Sequence, residues 1–460
     1  MENRKLALIG AGSAVFAQGL IADFIQTEDL GNWEIALVDT NPDALRAMYN
    51  LGRKMVAARG SHLKLTATTD RREALPDSDV VVVTVAVGGR RAWENDNFIP
   101  RKYGVFQSVG DTTMAGGISR TMRMVPLMVA IARDVAELCP NALFFNYSNP
   151  MSANVKAVRD KTGVPVVGLC HGILYVENYL AKFVNRPFES IRTLACGINH
   201  ISWIYDLTVD GKPGWPLVDA ELARQKAANT VNGHVRNFFN PLLEDKEIPN
   251  HDDNPFSWSL YETYGALPAV LDRHVVEFFP ERFPGGAYYG HKLGVDAFPF
   301  EAVIARGDAT YGRMLENADS PIVDDGLFSR LSGEHEQLVE MIRSLVLNRR
   351  EIFHVNVSNH GAVPNLPYSA VLELPAVATA RGFQPLHITD FPNKLAAVIN
   401  KRASVIELAV EAALTGRRDL FIETVLLDGC LGDRDQVAAM VDELLAAHWE
   451  NLPQFRGQPI

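Results

Sequence analysis

Short apolar runs alternate with helical patterns through the first 170 residues, and this alternation constrains the fold more than any other feature. Several runs are apolar at nearly every position, as in strands that helices cover on both faces of a sheet. Such alternation is typical of parallel β–α–β units and predicts an α/β fold on a doubly wound parallel sheet. The predicted strands are 5–9, 34–38, 63–67, 80–85, 143–145 and 164–168, and the predicted helices are 14–26, 42–58, 120–138 and 151–159.

The whole chain, at 460 residues, is too long for one compact core, so we expect two lobes. We place the boundary between residues 196 and 197, which separates a dinucleotide-binding domain (1–196) from an α+β domain (197–460) that carries the substrate site. The later patterns are strands at 192–195 and 202–209, a strand–loop–strand segment at 355–375, and helices at 393–413 and 434–447.

The first predicted strand runs into a glycine-containing turn, KLALIGAGSAVF, and then into a helix. Gly10 permits a tight turn, and Gly12 with Ser13 lets backbone N–H groups approach a pyrophosphate at the helix N-terminus. Asp39 ends the second strand, where a carboxylate binds ribose hydroxyls and favours NAD over NADP. Val15 replaces the third glycine of the full fingerprint, and a strand–turn–helix without a ligand is the alternative. The agreement of turn, spacing and acid favours nucleotide binding.

Two further segments complete the predicted nucleotide site. VTVAVGG at 83–89 ends a strand in a glycine turn, and we expect adenosine or pyrophosphate to lie beside Val87. NYSNP at 146–150 ends the next strand, at the carboxyl edge where Asn146 and Asn149 should meet the nicotinamide.

Composition argues against several classes of partner. The formal net charge of −11 argues against a nucleic-acid-binding surface, which needs clustered lysine and arginine. No segment has the run of roughly 18 uncharged apolar residues that a membrane span needs. The four cysteines are widely spaced and show no disulfide framework, so we expect a cytoplasmic protein with reduced thiols.

Cys170 in GLCHG and His200 in CGINH each end an apolar run, so two neighbouring elements could bring them to one edge of the sheet. A thiolate and an imidazole would leave metal positions open for substrate hydroxyls, as catalytic metal sites do. These ligand types favour zinc, iron, cobalt or nickel over manganese. The alternative is that Cys170 is a small buried hydrophobe and His200 an ordinary packed histidine.

Taken together, these residues resemble glycoside hydrolase family 4, the NAD- and metal-dependent glycosidases, over nearly the whole chain. The resemblance implies a fold like that of lactate and malate dehydrogenases, with a Rossmann-type sheet followed by a second α/β lobe, in a homodimer or tetramer. It also implies NAD and a divalent metal, usually manganese, held by Cys170 and His200. The matching motifs are GAGS at 10–13, GDTTMAGG at 110–117, NYSNP at 146–150, CHG at 170–172, GINH at 197–200 and NHGAVPNLP at 359–367.

The mechanism that the resemblance implies is redox chemistry without net oxidation. NAD⁺ takes a hydride from C3 of the sugar, the resulting ketone acidifies the C2 proton, and the metal stabilises the enediolate. A base removes that proton, the C1 leaving group is eliminated, water adds, and the steps reverse. This route differs from that of glycosidases with paired carboxylates.

The acid and base are assigned from the same resemblance. Several members use a tyrosine as the base, and the corresponding stretch is YETYGALPAVLDRH at 261–274, where Tyr264 is our first candidate and Asp272 the second. The alternative for Tyr264 is simple packing on a helix face. His171 follows the metal cysteine and can protonate a leaving oxygen near neutral pH. Asp111 matches an acidic position in the family's G-x-[DE]-T segment and serves either as the acid or as an orienting group.

The Cys-His-Gly sequence resembles the subgroup that cleaves α-glucuronides or α-galacturonides. A C6 carboxylate needs a cation, and a bidentate arginine is the natural partner. Arg273 is the first candidate, before Lys292 and Arg90. The expected sugar-binding residues are Arg273, Asn149, His171 and Asn199.

Three other functions stay open at this stage. One is a neutral α-glucosidase or α-galactosidase of the same family. Another is a lactate/malate-type hydroxy-acid dehydrogenase, which would accumulate NADH and needs a G-x-H-G-[DE] segment that this chain lacks. The third is a non-catalytic NAD-binding sensor, which would have no need for both metal residues.

Overall fold

The computed structural model describes residues 3–27, 29–227, 254–328 and 337–457. Within these ranges, thirteen strands form one mixed sheet, and two further short strands pair with each other. None of the described helices is long and apolar enough to cross a membrane.

Six parallel strands form the first half of the sheet. They are β1 (Asn3–Ile9), β2 (Asn32–Val38), β3 (Lys64–Thr68), β4 (Val80–Val83), β5 (Leu143–Asn146) and β6 (Val166–Gly168). Their spatial order is β3–β2–β1–β4–β5–β6. The order reverses between β1 and β4, which creates a crevice at the carboxyl ends of the strands. The predicted α/β fold with a doubly wound sheet is confirmed.

Helices cover both faces of this half. They are α1 (Phe16–Gln26), α2 (Pro42–Arg59), α3 (Arg71–Ala74), α4 (Gly89–Lys102), α5 (Met114–Leu138) and α6 (Met151–Thr162). Side chains alternate across a strand, so Leu6 and Leu8 of β1 pack in the same core as α1 and α2. Ala7 and Ile9 pack in the opposite core with α5 and α6.

Three helical segments of this half differ from the sequence prediction: α3 and α4 were not predicted, and α5 begins earlier than predicted. Helix α4 is polar on average and contains Pro100, so a helix was not predicted there. Helix α5 begins at Met114. The prediction began at residue 120, because Gly116 and Gly117 have low helix propensity. Packing requires Gly117, since a Cβ there would lie 2.3 Å from the carbonyl carbon of Thr112.

The second half adds seven antiparallel strands to the same sheet and also holds the two short strands that pair only with each other. Its strands are β7 (Ile191–Ile198), β8 (Ile201–Val209), β9 (Lys212–Pro213), β10 (Leu267–Pro268), β11 (Ala287–Tyr288), β12 (His291–Lys292), β13 (Ile352–Ser358), β14 (Val371–Thr379) and β15 (Gly382–Pro385). Its helices are α7 (Gly172–Phe183), α8 (Trp215–Ala227), α9 (Pro255–Tyr264), α10 (Asp272–Val275), α11 (Phe300–Asp319), α12 (Leu338–Val346), α13 (Asn393–Thr415), α14 (Arg418–Asp428) and α15 (Arg434–Ala447). The order beyond β6 is β13–β14–β7–β8–β10. The predicted boundary at 196/197 falls within β7, so the sheet continues across it.

Two buried polar side chains lie where β13 and β14 pair with their outer neighbours in the sheet. Asn356 of β13 lies opposite Gly168 of β6, and Glu373 of β14 lies opposite Gly197 of β7. The Glu373 carboxylate accepts hydrogen bonds from Ser202 Oγ at 2.6 Å and Asn356 Nδ2 at 3.3 Å. Burial outweighs these bonds and raises the pKa of Glu373 to about 7. This polar network lies behind the β7–β8 turn, which carries His200.

Candidate active site

The glycine turn after β1 is built by close contacts that exclude side chains. Gly10 has a φ of +97°, and a Cβ there would lie 2.5 Å from the carbonyl oxygen of Thr84. A Cβ on Gly12 would lie 2.7 Å from Asp39 Oδ2, which accepts a hydrogen bond from the Gly12 N–H at 2.7 Å. Both glycines therefore leave backbone exposed where a larger residue would fill the turn.

This turn forms one wall of a cleft of about 760 Å³. The cleft has the acid, the bare glycine backbone and the volume that an extended dinucleotide needs, so its residues fit that cofactor. Asn146 is turned away from the cleft, since it is fully buried and bonds both the N–H and the carbonyl of Ser148. It shapes the turn rather than contacting a ligand. The predicted cofactor residues that do line the cleft are Gly10, Gly12, Ser13, Asp39, Val87 and Asn149.

Asp111, His200 and His274 form a cluster at the end of this cleft. Each offers one donor atom, and these atoms lie within 4.8 Å of one another. Asp111 lies in the loop between α4 and α5, His200 in the β7–β8 turn with a φ of 66°, and His274 in the short helix α10. Asp111 also lines the cleft, so the cluster and the dinucleotide crevice are continuous.

Hydrogen bonds hold the cluster in place. Thr112 Oγ1 lies 2.7 Å from Asp111 Oδ1 and 2.8 Å from His200 Nδ1. The other carboxylate oxygen of Asp111 accepts from Asn149 Nδ2 at 3.0 Å. Arg120 Nε donates to the carbonyl oxygen of Asn149 at 3.1 Å. Asn149 thus connects the NYSNP turn to the cluster.

The pKa shifts of these three side chains favour binding of a cation. Burial lowers the pKa of His200, and Asp111 only partly opposes this effect. The pKa of His274 lies well below its usual value because of burial and the neighbouring His200. Burial raises the pKa of Asp111, but the positive charges that His200 and His274 carry when they are protonated, together with Arg120, outweigh it and the net shift is downward. Two neutral imidazoles beside a carboxylate fit a divalent ion.

Among the described residues, the cluster consists of Asp111, His200 and His274, and Cys170 is not part of it. It follows β6, is half-buried, and its Sγ accepts the N–H of Gly172 at 3.4 Å, at the N-terminus of α7. His171 lies near enough for its charge to lower the pKa of His274. The Cys170 thiol, the His171 imidazole and the cluster therefore lie at the same edge of the sheet. That Cys170 is a metal ligand stays a prediction.

Gly172 leaves no open space at the start of α7. A Cβ there would lie 2.6 Å from Val270 Cγ1 and 3.0 Å from the carbonyl oxygen of Ala269. The segment that leads into α10 fills the space instead.

The two candidate bases have different surroundings. Asp272 is fully buried, and its carboxylate accepts the N–H groups of Phe256 and Ser257, Ser257 Oγ and the Tyr288 hydroxyl, at 2.5 to 2.9 Å. Burial still raises the pKa of Asp272. These four bonds anchor the start of α9 and correct the expectation that Asp272 faces the substrate. Tyr264 is half-buried, with its ring 5.4 Å from that of Trp203, and its hydroxyl has no hydrogen bond within the described ranges.

The three candidate cations also differ. Arg273, beside His274, is half-buried, and its guanidinium makes no ion pair or hydrogen bond with any described residue. Burial lowers the pKa of Arg273, and Asp111 and Glu277 oppose this effect. Arg90 is engaged with Asp308 at 2.6 Å, and exposed Lys292 lies 4.1 Å from the ring centroid of Phe106. Arg273 is therefore the cation without a fixed partner.

His274 and Glu277 were not predicted from the sequence, and neither were Thr112 and Arg120, which hold the cluster. His274 directly follows Arg273, and this second imidazole in the DRH segment was the available signal. Glu277, three residues further on, accepts the N–H groups of Val109 and Gly110 at 2.7 and 2.9 Å. Burial raises the pKa of Glu277 to about 8. Glu277 thereby fixes the loop that presents Asp111.

Asn199, a predicted sugar contact, is fully buried next to His200. It lies against Glu373 and helps to lower the pKa of that carboxyl against the larger effect of burial. Burial sets Asn199 apart from the open cleft, and its contact with the sugar stays a prediction.

Known families account for almost the whole chain. Residues 5–186 match the family 4 glycosyl hydrolase model, and residues 195–430 match the family 4 glycosyl hydrolase C-terminal domain model. The chain belongs to glycosyl hydrolase family 4. This confirms the family predicted from the motifs and makes the protein a glycoside hydrolase.

Individual members of this family show the range of its sugars. The chain is 30% identical to an α-galactosidase from Rhizobium meliloti, over 99% of this chain and 90% of that protein. It is 27% identical to an α-galacturonidase from Bacillus subtilis, over 97% of each. A 6-phospho-α-glucosidase from gut microorganisms, solved in complex with NAD and Mn²⁺, superposes with a TM-score of 0.83 at 18% identity, over 98% of this chain and 100% of that one. Family membership alone therefore leaves the sugar open.

Proposed function

We propose that this chain is an NAD- and divalent-metal-dependent glycosidase that hydrolyses α-galacturonides or α-glucuronides. The observation that carries the proposal is the meeting of two sites at Asp111. Its carboxylate belongs to the Asp111–His200–His274 cluster, lines the dinucleotide cleft, and bonds Asn149 at 3.0 Å. A sugar ring at this junction contacts the cleft and the cluster together.

The chain's own side chains position and protonate the sugar. When bound, NAD⁺ supplies a hydride acceptor, and Mn²⁺ supplies a Lewis acid for negative charge at C2 and C3 of the sugar. Asn149 orients a sugar hydroxyl between cleft and cluster. His171, at the start of α7, holds the proton for the leaving oxygen. Tyr264 stays our candidate for the C2 base, because Asp272 is committed to the four bonds that anchor α9.

Cys170 is proposed as an additional metal ligand. Its sulfur accepts an N–H at the N-terminus of α7, a position that suits the thiolate form which metals bind. It lies on the same edge of the sheet as His171, whose charge acts on the cluster.

Arg273 supports a substrate with a carboxylate. Arg273 is half-buried beside the cluster, and its guanidinium has no partner among the described residues, so it is available to a ligand anion. A C6 carboxylate matches it in charge and in bidentate geometry. The α-galacturonidase relative supports the same class of sugar. A neutral α-galactoside is the second candidate, favoured by the α-galactosidase relative at 30% identity.

A panel of nitrophenyl glycosides with NAD⁺, Mn²⁺ and a reductant tests the proposal. We expect α-galacturonide or α-glucuronide to be cleaved with the highest kcat/KM. Arg273→Met should lower that value by about 100-fold and leave a neutral α-galactoside unaffected. Lys292→Met, at an exposed cation away from the cluster, is the matched control. Faster cleavage of neutral sugars, or an equal loss on both classes in Arg273→Met, would contradict the uronide assignment.

A further inference from the structure

Thr112 connects two members of the metal cluster through one hydroxyl. Its Oγ1 lies 2.7 Å from Asp111 Oδ1 and 2.8 Å from His200 Nδ1. We propose that Thr112 is a positioning residue that fixes the tautomer and ring orientation of His200 and so sets the affinity for the divalent ion. The inference rests on the proposed function only in taking the Asp111–His200–His274 cluster as the metal site.

Counting protons at Thr112 determines the tautomer. A threonine hydroxyl has one proton and two lone pairs, whereas a carboxylate can only accept. The hydroxyl proton is therefore donated to Asp111, and the hydroxyl oxygen accepts a hydrogen bond from the Nδ1–H of His200. In a neutral imidazole, a proton on Nδ1 leaves the lone pair on Nε2. The nitrogen that Thr112 does not engage is then the one able to bind a cation, as in other metal-binding histidines with a fixed second partner.

The backbone of Thr112 is held firmly enough for this role. Gly117, in the first turn of α5, lies so close that a Cβ there would approach the Thr112 carbonyl carbon to 2.3 Å. Glu277 binds the N–H groups of Val109 and Gly110 just upstream. The hydroxyl is therefore presented from a fixed position, which is what a preorganised ligand set needs.

The bond to Thr112 also distinguishes the two ring nitrogens of His200. His200 has a φ of 66° in the turn between β7 and β8, so its backbone is fixed in the left-handed region. Its ring lies 4.3 Å from that of His274, between centroids. The bond from Nδ1 to Thr112 is what distinguishes the two ring nitrogens, since it leaves only one of them open to a cation.

Two variants separate the hydroxyl from the shape of the side chain. Thr112→Val keeps the branched shape and removes the hydroxyl, while Thr112→Ser keeps the hydroxyl. Apoprotein is titrated with Mn²⁺ alone, and the free ion is measured by electron paramagnetic resonance. We expect Thr112→Val to weaken Mn²⁺ binding by about 10- to 100-fold and Thr112→Ser to stay near the wild type. Equal affinity in Thr112→Val, or an equal loss in Thr112→Ser, would overturn the proposal.

A tautomer measurement on the wild type does not depend on the variants. Selective ¹⁵N labelling of histidine reports by NMR which ring nitrogen of His200 carries the proton in the apoprotein. We expect the Nδ1–H tautomer in the wild type and in Thr112→Ser, and its loss in Thr112→Val. A proton on Nε2 in the wild type would refute the inference even if Thr112→Val did not fold. Neither readout uses a sugar, so failure of the uronide panel leaves this test intact, and the reverse also holds.

Discussion

Replacing Gly172 with alanine tests the steric account of the Cys-His-Gly tripeptide. The φ of Gly172 lies outside the left-handed region, so alanine is compatible with the backbone and is the better helix former at the start of α7. The obstacle is packing, because a Cβ would lie 2.6 Å from Val270 Cγ1 and 3.0 Å from the Ala269 carbonyl oxygen. Val270 is only 2% exposed, and the rigid backbone oxygen beside it leaves little room to relax.

The expected cost follows from that overlap. Overpacking a core typically costs 1–3 kcal/mol, and we expect Gly172→Ala to lower the free energy of unfolding by about 2 kcal/mol. Val270→Ala alone removes two buried carbon groups and should also cost about 2 kcal/mol. In the double variant the new methyl group enters the space left by Val270 Cγ1. The double variant should therefore be about 1–2 kcal/mol more stable than additivity predicts.

Urea unfolding of the four proteins in this cycle measures the coupling. Gly312→Ala is the matched control, since Gly312 lies within α11 with nothing within 4 Å of its Cβ position. That substitution should stabilise the protein by roughly 0.5–1 kcal/mol. Because Val270 leads into α10, Gly172→Ala should also reduce glycosidase activity, and Val270→Ala should restore part of it. A fully stable Gly172→Ala, or strictly additive effects, would refute the reasoning.

Three further substitutions test other parts of the site. Gly12→Ala should abolish NAD⁺ binding in a fluorescence titration without unfolding the protein, since its Cβ would lie 2.7 Å from Asp39 Oδ2; unchanged affinity would contradict the turn's role. Cys170→Ser should weaken Mn²⁺ binding while leaving NAD⁺ binding intact, and unchanged Mn²⁺ affinity would remove Cys170 from the ligand set. Because burial raises the folded-state pKa of Glu277 to about 8, its contribution to stability is fully present below about pH 4.5 and is lost as the pH rises through about 8. Between these pH values the free energy of unfolding of the wild type should fall relative to that of Glu277→Gln, by up to about 1.4 kcal/mol per pH unit. Urea unfolding at several pH values measures this difference, and a constant difference would contradict the raised pKa.

Local sequence patterns were sufficient to predict the first half of the sheet. The predicted strands agree with β1–β6 to within two residues at each end, because apolar runs such as Val80–Val83 pack on both faces. The prediction failed for the start of α5, where close packing against Thr112 requires glycines that propensity disfavours. The glycine turn and Asp39 were recognised because their roles depend on neighbours along one β–α–β unit.

The second half of the site depends on contacts between distant segments. Asp272 is acidic and lies near the predicted base, but its four bonds come from α9 and Tyr288, which no local pattern reveals. His274 joins the cluster only because the short helix α10 packs against the β7–β8 turn. Glu277 supports the Asp111 loop across more than 160 positions of sequence. Residue type suggested the chemistry, while the fold determined which residues meet.

We propose that the sugar is cleaved by oxidation and elimination where the dinucleotide cleft meets the metal cluster. The most direct measurement is hydrolysis of an α-galacturonide or α-glucuronide in D₂O, with NAD⁺ and Mn²⁺, followed by NMR of the released uronic acid. Because this route exchanges the C2 proton with the solvent, we expect deuterium at C2 of the product. Complete hydrolysis with hydrogen retained at C2 would contradict it.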